Sequence, residues 1–433
     1  MAHIIPFRGL RYSESRAGEI SKLVTQPYDR IGETEQASYY ERNPYNIVRI
    51  IKGKAEPDDN TDNVYTRAAS YLNQWIDKGI LVKDQTPSLY VYHQEYTFRE
   101  ERLTRKGFIA LGKLEPERVH AHENTLKGPK EDRLRLMRAT EANCGHIFML
   151  YSDPQRTADM ALEQATAGIA PTISATDDFG NNHYVWKIDD PQVISSVSQA
   201  LEDKDLYIAD GHHRYETAVN FMHECEQKGW RTAAPESFDV RMMTLFNINE
   251  PGMTIRPIHR LIHALPNYDA EAFLKRAEEQ FNVERHVSLS EMEEAVKKGK
   301  ENHSFGFYSS GIYASLTLKD EGIMDKLITG NWSPDWKRLD VSILHTLILE
   351  RLLGIDAKAL EEQRNITYAH DPKEAVKAVD NGAEQIFFLL NPTSPSEVRK
   401  VADHGEKMPQ KSTDFYPKLL TGLVISKMEI DKG

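Results

Sequence analysis

Asp210, Gly211, His212, His213 and Arg214 stand together between two apolar patterns. Before them runs Leu206-Tyr207-Ile208-Ala209, and after them apolar residues recur at Tyr215, Ala218, Val219 and Met222. A short apolar run followed by an i, i+3, i+4, i+7 repeat reads as a buried strand turning into a helix. The spacing puts Asp210 and Gly211 at the cap and the tight turn, with the helix opening near Arg214. Backbone N–H groups in a first helical turn have no intrahelical partner, so an anion can dock on them. Gly211 lets a phosphate approach the backbone, Arg214 offers a planar fork of donors, and the helix dipole adds roughly half a positive charge. Phosphate binding is the chemistry these residue types serve in this order. A plainer reading competes: Asp210 only caps, His212 and His213 only pack or bond carbonyls, and Arg214 only bridges to a carboxylate. Four such residues in a row around a glycine have no packing purpose that apolar residues would not serve better, which favours function.

Other constellations surround this corner in sequence. His120 and His122 lie two apart, so on an extended segment both imidazoles face one side and Glu123 the other. His-x-His is a metal-ligand spacing and admits zinc or another transition metal. Glu123 is the better candidate for acid/base work if it closes within hydrogen-bond reach of the corner; an exposed loop acid is the alternative. Gly128-Pro129 breaks the chain and opens a helix on which Lys130 and Arg133 lie a turn apart on one face. Two cations beside a helix N-terminus suit a polyphosphate, against a solvated basic face. Arg256, His259 and Arg260 follow a predicted strand end and suit either phosphate contact or salt bridging. Asp29, in the turn Gln26-Pro27-Tyr28-Asp29-Arg30, is a further candidate for metal or substrate contact. The stretch 408–418, with Lys411, Ser412 and Thr413 at its centre, is too punctuated for regular structure and too rich in hydroxyl and basic groups for a simple linker. Surface loop and ligand contact are its two readings.

The elements that must position these residues divide the chain into three segments. Residues 1–115 read as mixed α/β, with strands at 46–51 and 88–98, a helix at 62–77, and a hairpin whose turn is Arg99-Glu100-Glu101-Arg102. Residues 116–265 form a central domain that carries the corner, with strands at 146–151, 183–188, 206–209 and 240–247. A boundary near Leu265-Pro266 opens the third segment, 266–433, with strands at 304–308, 314–318 and 385–390 and a helix at 341–353.

At 433 residues the chain exceeds one typical core, and 40% apolar with 28% charged residues is ordinary globular composition. A net charge of −12 argues against general nucleic-acid binding, which needs a basic face. No apolar run approaches a membrane span. The first residues lack the charged start and long apolar core of a signal peptide, and Cys144 and Cys225 stand in no metal or redox spacing. A cytoplasmic protein is expected, without nucleic-acid or membrane partners, and a homodimer is compatible with the sequence.

Several motifs together carry a resemblance. Pro6-Phe7-Arg8-Gly9-Leu10-Arg11-Tyr12, Gln26-Pro27-Tyr28-Asp29, His122-Glu123 with Gly128-Pro129-Lys130-Glu131-Asp132-Arg133, the corner 209–215, Pro257-Ile258-His259-Arg260 and the stretch 408–418 resemble the bacterial and archaeal domain of unknown function 1015 family, nearly end to end. Relatives usually read Ala-Pro-Pro-Tyr-Asp where this chain has Thr25-Gln26-Pro27-Tyr28-Asp29. The corner itself resembles the signature of the ParB/sulfiredoxin-like superfamily, especially its free-serine kinases. That resemblance implies a mixed α/β (α+β) fold with a ParB/sulfiredoxin-like core and additional N- and C-terminal α/β segments. It also implies ATP or ADP with Mg²⁺: Asp210 helping to bind magnesium, Gly211, His212, His213 and Arg214 cradling phosphate, and Glu123 as the base.

The expected function is therefore a phosphotransferase or phosphohydrolase acting on serine or phosphoserine. Lys130, Arg133, His259, Arg260, Lys411, Ser412 and Thr413 are its further phosphate-binding candidates. Two readings compete with it. One is a metal-dependent hydrolase in which His120, His122, His212 and Asp210 hold zinc and Glu123 activates water. The other is a nucleotide-sensing regulatory protein that contacts DNA, as some ParB relatives do.

Overall fold

The computed structural model describes residues 3–57, 59–121 and 127–433, and the fold is mixed α/β. Two compact units emerge. The first takes its described residues from Met1–Ala121, Thr125–Met253 and Pro417–Gly433, and the second from Thr254–Tyr416.

Among the described residues, the first unit is built on a nine-stranded sheet. Its strands are β1 (Ile4–Ile5), β2 (Leu89–Phe98), β3 (Glu101–Lys113), β4 (Val119–His120), β5 (Ile147–Tyr151), β6 (Ile173–Thr176), β7 (Asn182–Ile188), β8 (Leu206–Asp210) and β9 (Val240–Asn247). In space they run β4-β8-β5-β9-β3-β2-β7-β6, with β1 against β3. Every residue of β5 and β9 is buried, which is why neither shows a regular apolar/polar alternation. The expected hairpin forms between β2 and β3, with Phe98 opposite Glu101 and with Arg99 and Glu100 both at positive φ.

Helices α1 (Val64–Asp77), α2 (Lys127–Thr140) and α3 (His212–Gln227) accompany the sheet. Leu134 and Met137 of α2 join Tyr215, Ala218 and Phe221 of α3 in one core with Ile147, Met149, Ile208 and Met243. Ion pairs tie α2 to α3, from Lys130 to Glu216 at 2.9 Å and from Arg138 to Glu224 at 2.6 Å. Two local expectations are corrected. The strand expected at 46–51 is the helical turn Val48–Ile51, entered through the Asn46 side chain, which accepts from Val48 N at 2.9 Å. Ile47, Val48, Ile50 and Ile51 are all buried, and a short, wholly buried apolar run does not distinguish strand from helix. Second, α3 opens at His212, capped by Gly211, so Asp210 ends the strand instead of capping the helix.

The second unit holds a six-stranded antiparallel sheet of β10 (His259–Ile262), β11 (Phe281–His286), β12 (Ser304–Ser309), β13 (Ile312–Leu318), β14 (Ile366–Ala369) and β15 (Ile386–Leu389), in the order β11-β13-β12-β15-β10-β14. Phe273, Phe307 and Phe388 pack there with Leu344, Leu347 and Ile348 from the helical stretch that begins at Asp340. The stretch 408–418 is irregular apart from Asp414–Tyr416, which pairs with Thr254–Arg256. No helix among the described residues is long and apolar enough to cross a membrane. Cys144 and Cys225 are free thiols, both buried.

Candidate functional site

The corner is shaped by a break in the sheet register. Strand β8 pairs Ile208 with Met149 and then Asp210 with Phe148, so one residue is skipped and the strand end is re-aimed. Gly211 follows at φ 99°, a conformation side chains rarely adopt, and Tyr215 N closes the first helical bond to its carbonyl at 3.0 Å. A Cβ at Gly211 would also stand 3.0 Å from Arg214 Nε, because that guanidinium folds back over the turn. Arg214 is thus buried, on the first turn of the helix. Its Nη1 donates to the His146 carbonyl, and its Nη2 lies 3.5 Å from Asp210 Oδ1.

Asp210 is held between cations. Lys418 Nζ donates to Asp210 Oδ2 at 2.9 Å, and Arg214 faces the other oxygen. Burial alone would raise the Asp210 carboxyl; Lys418 and Arg214 outweigh it and hold it well below the usual carboxylate range. A carboxylate with both oxygens facing cations does not fit the expected role of magnesium ligand, and among the described residues no three His, Cys, Asp or Glu gather to hold a metal. His120 stacks on Tyr207 with ring centroids 5.2 Å apart and sits 3.5 Å from Asp205, while His212 is buried at the start of α3. His122 and Glu123 lie outside the described residues.

Next to Arg214 is a cavity of about 40 Å³ whose lining includes Tyr28, Arg133, Cys144, Gly145, Arg214 and Arg241. Three guanidiniums therefore converge from α2, α3 and β9. Arg133 stacks 4.1 Å over the Tyr28 ring, donates to the Ile51 carbonyl at 2.8 Å, and is paired with Asp132. Among the described residues the hydrogen-bond partners of Arg241 are neutral: Nη1 donates to the Asn143 side chain and Nη2 to the Gly145 carbonyl at 3.2 Å. Among the described residues its Nε has no hydrogen-bond partner, and neither do His146 Nε2 or Asn143 Nδ2. Burial, then Arg214 and Arg133, pull the Arg241 guanidinium down to about 9. The same forces push His146 to about 3: burial first, then Arg214 and Arg241. Such crowding of like charge in a buried place is unfavourable unless an anion offsets it.

Titratable groups gather around His213, the residue before Arg214. His213 is half-buried; burial lowers its pKa, Glu216 and Asp29 oppose this, and Lys130 and Arg214 add to it. Lys130 itself is paired with Glu216. Asp29 arrives on the early turn, which is anchored where Gln26 Nε2 donates to Asp177 at 3.3 Å and Lys52 Nζ to the Tyr28 carbonyl at 3.1 Å. Three constellations far apart in sequence, at 26–30, 130–133 and 210–214, thereby meet in the first unit. Lys418, the last residue of the punctuated stretch, joins them.

The other predicted phosphate ligands belong to the second unit. His259 and Arg260 are buried in its sheet instead of presented at a surface. His259 Nδ1 accepts from Leu390 N at 3.2 Å, and Arg260 Nη2 donates to the Lys411 carbonyl at 3.0 Å. Ser412 Oγ donates to the Pro409 carbonyl and Ser412 O accepts from Thr393 at 2.8 Å, while Thr413 leads into Asp414–Tyr416. Sequence reasoning missed Arg241 and the Tyr28 ring. The signal for Arg241 was present, since it is the lone charge in the apolar run 240–247.

Among solved structures, a free serine kinase in complex with AMP is similar at 11% identity and a TM-score of 0.36, over 71% of this chain and 86% of that one. A conserved hypothetical protein from Pyrococcus furiosus follows at 10% identity and 0.34, over 71% and 90%. SbnI with a C-terminal truncation, from Staphylococcus aureus, stands at 9% and 0.34, over 72% and 85%. No curated protein matches the chain. The family model described as "Protein of unknown function (DUF1015)" matches residues 4–342, a span that takes in the early turn, Lys130, Arg133, the corner and Arg241, and the chain therefore belongs to that family.

Proposed function

We propose that the first unit binds a nucleoside di- or triphosphate by its phosphates and moves a phosphoryl group to or from a small hydroxy amino acid of the serine class. One observation carries this reading: Arg133, Arg214 and Arg241 converge on a single cavity, and the last of them is buried with only neutral hydrogen-bond partners among the described residues. Guanidinium forks match phosphoryl oxygens two at a time, and phosphoryl transfer depends mainly on positioning and charge neutralisation. The cavity has room for one oxyanion or a few waters, so it suits a single phosphoryl group. His213, neutral at pH 7 because burial lowers its pKa, is the described group best suited to take a proton from the attacking hydroxyl. The resemblance of residues 210–214 to the free-serine kinase corner supplies the acceptor class.

Phosphorus NMR tests the proposal. The protein is incubated with ATP or ADP, magnesium and serine, and separately with phosphoserine. A new phosphoserine signal, or loss of phosphate from phosphoserine, is expected with the wild type and absent with Arg241→Met. Unchanged spectra in every mixture, with no broadening of any nucleotide phosphate signal, would overturn it.

A further inference from the structure

A groove of about 960 Å³ adjoins the arginine cavity, and the two share Tyr28, Ile51, Arg133 and Leu136 in their linings. The volumes divide the work. A nucleoside cannot enter 40 Å³, whereas the groove lies in the range of pockets that enclose small organic ligands. Resting on the phosphate reading above, we infer that the groove seats the base and ribose of the nucleotide whose terminal phosphate meets the three arginines.

The groove's chemistry suits a flat heteroaromatic ring joined to a polyol. Val64, Ile51 and Leu136 give it apolar surface, and the Tyr28 and Tyr65 rings add aromatic surface of the kind on which bases stack. Tyr65 OH donates to Asp132 Oδ1 at 3.0 Å, Asp132 Oδ2 accepts from Arg133 Nε at 2.8 Å, and Arg133 lies over Tyr28. One bonded chain therefore joins the groove to the cavity and fixes the arginine that both share. Glu33 and Gln36 add polar groups to the lining, as hydroxyl recognition requires.

The test separates this inference from the reading it rests on. Val64→Trp and Ala55→Trp each place an indole in the groove; Ala55 is exposed, so that substitution spares the core. Titration calorimetry measures ADP and pyrophosphate binding to the wild type and to both variants. The expected result is at least tenfold weaker ADP binding in the variants with pyrophosphate affinity unchanged. Unchanged ADP affinity in both variants overturns the groove assignment and leaves the arginine cavity standing, as does wild-type binding of pyrophosphate as tight as that of ADP. Loss of both ligands in both variants overturns the division into two subsites. Failure of the wild type to bind either ligand overturns both readings together.

Discussion

Lys418 Nζ stands 2.9 Å from Asp210 Oδ2, so the last stretch of the chain is pinned by charge to the strand-to-helix corner. Both side chains are mostly buried, at 13% and 22% exposure, and Arg214 faces the same carboxylate. Removing one member of a buried ion group leaves uncompensated charge, so Asp210→Asn should cost on the order of 3 kcal/mol. Lys418→Met should cost less, since Arg214 still faces the acid. The double variant should recover about 1–3 kcal/mol relative to the sum of the single changes, because the partners are in contact. Urea denaturation of the four proteins checks this, and strict additivity would mean that the contact carries no energy.

Arg241→Met should separate stability from binding. The arginine is buried among neutral acceptors with two more guanidiniums nearby, and an apolar side chain of similar length often replaces such a charge at no loss. The melting temperature is expected to hold or rise, while pyrophosphate affinity falls at least tenfold, by about 1.4 kcal/mol or more. A variant that melts earlier yet binds pyrophosphate normally would assign Arg241 a purely structural role.

How much of this site was legible follows from the physics of each residue. The corner was visible because a buried strand, a glycine and an amphipathic helix impose a local pattern that needs no tertiary information. The burial of Arg214 was not visible, because its partner, the His146 carbonyl, is brought near only by the pairing of β8 with β5. Lys418 was legible only as a member of a basic, hydroxyl-rich stretch, since its contact crosses 208 residues. The turn at 48–51 was misread as a strand because complete burial erases the polar side of either periodicity. Arg241 sits in a strand whose every residue is buried, where a charge is itself the anomaly to look for.

Gly211→Ala should damage the site through backbone and side chain at once. At φ 99° an alanine is strained by about 1–3 kcal/mol, and its Cβ meets Arg214 Nε at 3.0 Å. The guanidinium must then leave its place over the turn. Loss of pyrophosphate binding is expected to exceed what the fall in stability explains. The check is binding measured well below the variant's melting temperature, where the folded fraction matches that of the wild type.

Histidines whose pKa is lowered by burial weaken the fold at acid pH. His146 is pushed to about 3, His345 to about 3 and His93 to about 4, burial being the first cause in each. In the unfolded chain these groups bind a proton near 6.5, so between that pH and about 4 the unfolded state holds more protons than the folded one. Stability therefore rises with pH in that window and is lost as pH falls through it. Each such histidine contributes a slope of about 1.4 kcal/mol per pH unit. His146→Phe removes one of them and should flatten the dependence of unfolding free energy on pH by about that amount between pH 6 and 4. Its loss of the 2.8 Å contact with Thr244 lowers stability at every pH equally, so the slope, not the absolute value, is the readout. Urea denaturation at four pH values decides the matter, and an unchanged slope would place a proton on His146 in the folded protein.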